Sequence, residues 1–214
     1  MMTNRQNMEN EKQVNSIKAV IFDYGGVLAE EGFRDGLRAI ALRNGLDPDW
    51  LHQIGLDAVY DSGYMVNRGT EADFLRLLRS RAHIRESDAE LVREVMGRFV
   101  LRPWMIDLVR NLRREGMLTA ILSDQTDWLD RLDARDHFYR EFDKVYVSYH
   151  IGKGKRDPSV FDDVVSDMGI AHGQALFVDD NPGNVERARD KGLKTILFED
   201  REQFMREMGE YFPN

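Results

Sequence analysis

Short apolar runs that end abruptly in an acidic or hydroxyl residue recur along this chain, and they constrain its fold more than any other feature. Residues 18–22 (Lys-Ala-Val-Ile-Phe) lead straight into Asp23, residues 118–122 into Ser123 and Asp124, and residues 175–178 into Asp179 and Asp180. Residues 145–148 and 195–198 are shorter relatives of the same pattern. Runs of this length that are apolar throughout, rather than alternating, suit strands buried on both faces, as in a parallel sheet.

Helical patterns separate the later runs. Residues 104–115 set Ile106, Leu108, Val109 and Leu112 near helical spacing, with Gly116 as a stop. Residues 159–168 and 184–191 behave alike, the second closed by Gly192. Strand alternating with helix from about residue 103 onward predicts an α/β fold, a parallel sheet with helices on both faces.

Between Glu31 and Leu101 that rhythm breaks. Residues 33–44, 48–54, 71–80 and 87–99 are amphipathic stretches with no buried strand among them. Asp47-Pro48 marks one helix start, and Ser87 with Glu90 has the spacing of a capping box. A plain crossover between parallel strands needs only about a dozen residues, so this longer helical insert reads as a lid. The expected organisation is a polar, disordered tail over residues 1–16, a core over 17–30 and 102–214, and a helical cap over 31–101.

Composition narrows the function. With 214 residues, 42% hydrophobic and 32% charged, the chain suits a folded domain rather than a disordered one. A net charge of −8 argues against a nucleic-acid surface, which is normally basic. There is no cysteine, which excludes disulfides and thiol catalysis. No apolar run approaches the ~20 residues of a membrane helix, and the first residues lack the apolar stretch of a secretory signal. A cytoplasmic protein without nucleic-acid or membrane partners is expected.

The chemistry sits where strands should end, which is where open α/β sheets bind ligands. Asp23 precedes Gly25 and Gly26, which let backbone approach a ligand closely. A carboxylate there can attack phosphorus and form an aspartyl-phosphate. Ser123 offers a hydroxyl to a phosphate oxygen. Lys155, in a loop before a helix, offers an ammonium that would neutralise a transferring phosphoryl group; Lys153 and Arg156 are weaker candidates. Asp179 and Asp180, adjacent like charges, suit a hard cation such as Mg²⁺. Taken singly, each has an ordinary reading: a strand-ending aspartate, a turn serine, a solvated lysine, an acidic turn, and Asn184 as a helix cap. Their order and shared position make the stronger case.

Together these residues resemble the haloacid dehalogenase-like (HAD) superfamily of hydrolases. The resemblance rests on Asp23, Ser123, Lys155 and the Asp179-Asp180 pair as its four ordered motifs, and covers about residues 18–200. The stretch from Ser148 to Phe161 is similar to the family's S-x-x-x-G-x-x-K-P-D-P-x-x-F pattern, with Arg156 in place of a proline. The resemblance implies a Rossmann-like core with an α-helical cap after the first strand. It implies Asp23 as nucleophile and Mg²⁺ ligand, Asp180 as the second carboxylate ligand with Asp179 beside it, and the Gly25 carbonyl as a further ligand. Ser123 and Lys155 would hold the phosphoryl group, with Asp124 and Gly26 as further phosphate-binding residues. The Asp-x-Gly form of the first motif and the Asp179-Asp180 pair look most like the sugar-phosphatase branch typified by glucose-1-phosphate phosphatase. The implied function is a Mg²⁺-dependent phosphatase acting on a small phosphorylated metabolite, as a monomer or homodimer.

The departure is Gly25, where most family phosphatases carry a second aspartate that protonates the leaving group and activates water. Loss of such a group costs about 10²–10⁴-fold in rate. Two remedies are open: a substrate with a better leaving group, or a proton supplied by the cap, for which Glu30, Glu31 and His52 are candidates. Two competing readings remain, a 2-haloacid dehalogenase and a catalytically weak binding domain. Trp50, Tyr60, Tyr64, Met65 and Phe74 are candidates to line a substrate pocket, or simply to fill the cap's core.

Overall fold

The computed structural model describes residues 17–212; the expected tail over residues 1–16 lies outside them. Five strands form one sheet, β1 (Ala19–Phe22), β2 (Leu118–Ser123), β3 (Lys144–Val147), β4 (Ala175–Asp179) and β5 (Lys194–Leu197). Their order is β3-β2-β1-β4-β5, and every neighbouring pair is parallel. The chain leaves β1 toward β2 on one side and returns to β4 on the other. Loops after β1 and β4 therefore diverge, which opens a crevice at their carboxyl ends.

The buried runs divide between two faces, as strand geometry requires. Ala19 and Ile21 of β1 pack with Val160, Phe161, Val164 and Ala188, from α8 (Ser159–Asp167) and α9 (Pro182–Asp190). Val20 and Phe22 face the other way, toward α5 (Pro103–Arg114), α6 (Trp128–Asp136) and α10 (Arg201–Tyr211). The parallel sheet covered by helices on both faces, expected from the run pattern, is the fold adopted.

Between β1 and β2 lie α1 (Gly32–Asn44), α2 (Pro48–Asp61), α3 (Glu71–Arg81) and α4 (Asp88–Arg98). A 3₁₀ turn, Tyr64–Val66, stands between α2 and α3. Asp47 caps α2 by accepting from the Trp50 amide, and Ser87 with Glu90 closes a capping box on α4. The buried apolar residues of these helices join the same core as Val20 and Phe22. A short α7 (Ser148–Ile151) follows β3 directly.

Three differences from the sequence reading stand out. The run over 145–148 ends as a strand at Val147, because Ser148 opens α7 and its hydroxyl donates to the Met65 carbonyl, 2.8 Å away. The helix expected over 48–54 runs on to Asp61. Helices α6 and α10 were not expected at all. Each buries only two or three side chains, Trp128, Leu129 and Leu132 in one, Phe204 and Met208 in the other, so their apolar stripe is thin. Among the described residues no helix is long and apolar enough to cross a membrane.

Candidate active site

A cleft of about 350 Å³ opens at the carboxyl end of the sheet, beneath the helices inserted after β1. Asp23, Ser123, Asp124, Lys155 and Asp180 line its floor, and Phe33, Tyr60, Tyr64 and Phe74 its roof. Residues up to 157 positions apart in sequence thus meet because their strands are parallel and end on the same side.

Asp23 leaves β1 with its amide still bonded to the Val178 carbonyl of β4, at 2.9 Å. Its Oδ1 accepts from the Tyr24 amide at 2.7 Å and the Ser123 hydroxyl at 2.8 Å, and stands 3.0 Å from Lys155 Nζ. Among the described residues no donor reaches Oδ2, so that oxygen keeps its lone pairs free. Burial pushes the Asp23 carboxyl up to about 8, against the pull of Lys155 and with the help of Asp179 and Asp180.

Lys155 is buried, and its ammonium also pairs with Asp179 Oδ2 at 2.6 Å. Burial disfavours its charge, but the carboxylates of Asp179, Asp23 and Asp124 outweigh that, so its pKa is raised and it stays an ammonium. The backbone amide of Lys155 donates to Asp124 Oδ1 at 2.8 Å, which ties the loop after β3 to the end of β2.

Asp179 is fully buried and heavily partnered: the Asn181 amide donates to it at 2.8 Å and the Asn184 side-chain amide at 3.1 Å. Asp180, in contrast, faces the cleft, and burial raises its pKa. Gly26 explains how Asp180 fits there. Its φ is +81°, and a Cβ built on it would fall 2.1 Å from Asp180 Oδ2, so only glycine admits this approach. Gly26 thus lies against Asp180, while Gly25 faces the cleft.

Carboxylate oxygens of Asp23, Asp179 and Asp180 lie within 4.8 Å of one another. Such a donor set fits a hard divalent cation, with Lys155 limiting the excess negative charge.

The structure sorts the remaining candidates. Glu30 turns away to pair with Arg102 at 2.9 Å, whereas Glu31 and His52 line the cleft. Burial pushes the Glu31 carboxyl up to about 7, although the Arg34 amide and guanidinium draw it down. Burial and the nearby Arg34 and Arg38 hold His52 below its usual value. Of the aromatic and Met candidates, Tyr60, Tyr64, Met65 and Phe74 line the cleft, while Trp50 is exposed. Lys153 points away, toward Ser159 and Asp163.

Arg156, in place of the family's proline, stacks its guanidinium 3.6 Å above the centre of the Tyr60 ring. The Tyr60 hydroxyl donates to Asp124 Oδ2 at 3.2 Å. One aromatic residue of α2 therefore touches two motif loops. Sequence reasoning missed Arg187, whose Nε donates to the Lys155 carbonyl at 2.8 Å and whose Nη2 donates to Asn184 at 2.6 Å. Its spacing of three from Asn184 on α9 was the available signal.

A family model described as haloacid dehalogenase-like hydrolase matches residues 17–192. A curated relative, D-ribitol-5-phosphate phosphatase of Bacteroides thetaiotaomicron, is 25% identical over 207 residues, covering 90% of this chain and 97% of its own. Bifunctional epoxide hydrolase 2 of Rattus norvegicus is 30% identical over 139 residues, 59% of this chain but 24% of its own length. This chain thus spans about a quarter of that larger protein. A HAD family enzyme of B. thetaiotaomicron, solved with magnesium and inorganic phosphate, superposes with a TM-score of 0.67 at 24% identity, covering 88% of this chain and 99% of the other.

Proposed function

The chain belongs to the haloacid dehalogenase-like hydrolases, and on that premise we propose that it is a Mg²⁺-dependent phosphatase acting on a small phosphorylated sugar or polyol. The observation that carries this reading is the convergence of Asp23, Ser123, Lys155 and Asp180 on one cleft. Two relatives support it: one named a D-ribitol-5-phosphate phosphatase, the other holding magnesium and inorganic phosphate.

Asp23 Oδ2 attacks phosphorus as the bond to the leaving oxygen breaks, giving an aspartyl-phosphate. Asp23 Oδ1 is fixed meanwhile by the Tyr24 amide, while the Ser123 hydroxyl, which donates to Oδ1 in the free site, turns its proton to the phosphoryl group. The Lys155 ammonium and the Ser123 hydroxyl hold the phosphoryl oxygens as charge builds on them. Water then attacks the acyl phosphate, frees inorganic phosphate and restores Asp23. Asp23 and Asp180 would hold the Mg²⁺, with Asp179 behind them; when bound, it neutralises phosphoryl charge. Residues 31–101 act as the cap that selects the leaving group and excludes water, through Tyr60 and Tyr64 among others.

Assay of the full chain on p-nitrophenyl phosphate and a sugar- and polyol-phosphate panel, with Mg²⁺ or with EDTA, tests this reading beside Asp23→Asn. Turnover that requires both Mg²⁺ and Asp23 is expected. Equal rates for the wild type and Asp23→Asn on every phosphate would overturn it.

A further inference from the structure

The side chain absent at position 25 is replaced in space by one from the cap. Apart from its chain neighbours, a Cβ built on Gly25 would have two atoms within 4 Å, Phe99 Cε1 at 3.3 Å and Glu31 Oε1 at 3.4 Å. A carboxylate oxygen from α1's cap residue therefore touches the position that an aspartate side chain at residue 25 would occupy. We propose that Glu31 is the catalytic acid and base of this site, doing from the first turn of the cap what a carboxylate at residue 25 would do. The inference rests on the phosphatase reading above.

Two features hold Glu31 there. Isolated bridges pair Gly25 with Ala29 and Ala29 with Leu101, which folds the chain after β1 back on itself and brings residue 31 beside residue 25. Glu31 is the N-cap of α1, and its Oε2 accepts from the Arg34 amide at 2.6 Å. One carboxylate oxygen is thus anchored to a helix end, while Oε1 faces Gly25 with no donor among the described residues. The other two candidates lack this geometry: Glu30 is bound by Arg102, and no atom of His52 lies within 4 Å of the position.

The proton balance closes on Glu31 alone. Protonated Glu31 gives its proton to the leaving oxygen as the phosphorus–oxygen bond breaks and the alcohol departs. Ionised Glu31 then takes a proton from water as the water oxygen bonds to phosphorus and the bond from Asp23 to phosphorus breaks. Inorganic phosphate leaves, and Glu31 is again protonated.

A helix cap with no chemical role would not alter how the rate depends on the leaving group, and this separates the two roles. Glu31→Gln keeps an oxygen for the Arg34 amide but has no proton to give. On the best alkyl phosphate of the panel, the variant is expected to lose about 100-fold or more in kcat/KM. On p-nitrophenyl phosphate, whose phenolate needs no proton, it should release a burst of about one equivalent of p-nitrophenolate per enzyme, followed by slow turnover. Moving the carboxylate back, in Glu31→Gln with Gly25→Asp, is expected to recover at least tenfold of the alkyl-phosphate rate. Matching melting curves confirm that the variants are folded. A Glu31→Gln variant whose rates fall equally on both substrates without a burst, or do not fall, overturns the role of Glu31 and leaves the phosphatase reading standing. A wild type inert on every phosphate overturns both.

Discussion

Lys155 and Asp179 form an ion pair with almost no exposure to water, Nζ 2.6 Å from Oδ2, at 1% and 0% side-chain accessibility. The same ammonium reaches Asp23 at 3.0 Å. A single cation thus compensates carboxylates from the ends of two adjacent strands, β1 and β4, and its removal bears on stability as well.

Lys155→Met leaves Asp179 buried with amide donors only. Breaking one side of a buried pair costs about 3–5 kcal/mol. Asp23, with its carboxyl pushed up to about 8, is neutral at pH 5 and ionised above pH 8. The destabilisation, measured by urea unfolding, should therefore be larger at pH 9 than at pH 5. Equal losses at both would show that Lys155 does not compensate Asp23.

Asp23→Asn should stabilise the metal-free protein while abolishing turnover, by about 10⁴-fold or more. The folded carboxyl is raised from 3.8 to about 8, so its contribution is fully present below pH 4 and is lost as pH rises through 8. Asparagine has no such loss. In EDTA, the melting temperature of the variant minus that of the wild type should be small at pH 4 and grow steadily to pH 8. A difference independent of pH would refute the assignment.

Mg²⁺ should raise the melting temperature of the wild type, since a ligand at 100 times its Kd adds about 2.7 kcal/mol. Asp180→Asn should lose most of that shift. Gly26→Ala should lose it as well without replacing a carboxylate, because its Cβ would displace the Asp180 side chain. Titration calorimetry checks both; full Mg²⁺ affinity in either variant would remove Asp180 from the metal site.

Arg156 and Tyr60 should couple across the cleft by about 0.5–1 kcal/mol, the usual strength of an exposed cation–π pair. A thermal-stability cycle of Arg156→Ala, Tyr60→Leu and the double variant measures it. Additive effects would mean that the stacking contributes nothing.

How much of this was legible in the sequence depends on whether the signal was local. The buried strands were readable because Ala-Val-Ile-Phe and Ala-Leu-Phe-Val are apolar over their whole length, a pattern that only burial on two faces explains. Asp23, Ser123 and Asp180 were readable as strand-end residues and Lys155 from its loop before a helix, and the cleft collects all four. The capping box at Ser87 and Glu90 was equally local. What escaped was tertiary. Trp50 resembles Tyr60 in composition, yet one is exposed and the other lies in the cleft, because α2 turns a different face inward at each position. Glu30 and Glu31 are neighbours of like charge, and only the Arg102 pairing and the Arg34 cap send them in different directions. Arg187 works through the backbone of a loop 32 residues earlier, and its spacing of three from Asn184 was only a local trace of that role.

The placement of β1 also bears on how the chain is made. Among the described strands it is the first to emerge, and it occupies the middle of the sheet, with Ala19 paired to Leu118 on one side and Ala175 on the other. At roughly 5–20 residues per second on a ribosome, the first ladder partner arrives roughly 5–20 s after β1, and the second a further 3–10 s later. Helices in the intervening segment form within microseconds, so they are the first cover available to Val20 and Phe22. Through that wait Asp23 has neither Lys155 nor Asp180 beside it. A nascent or truncated chain carries Asp23 without its surroundings, and its unpaired apolar strand is the surface a chaperone would meet.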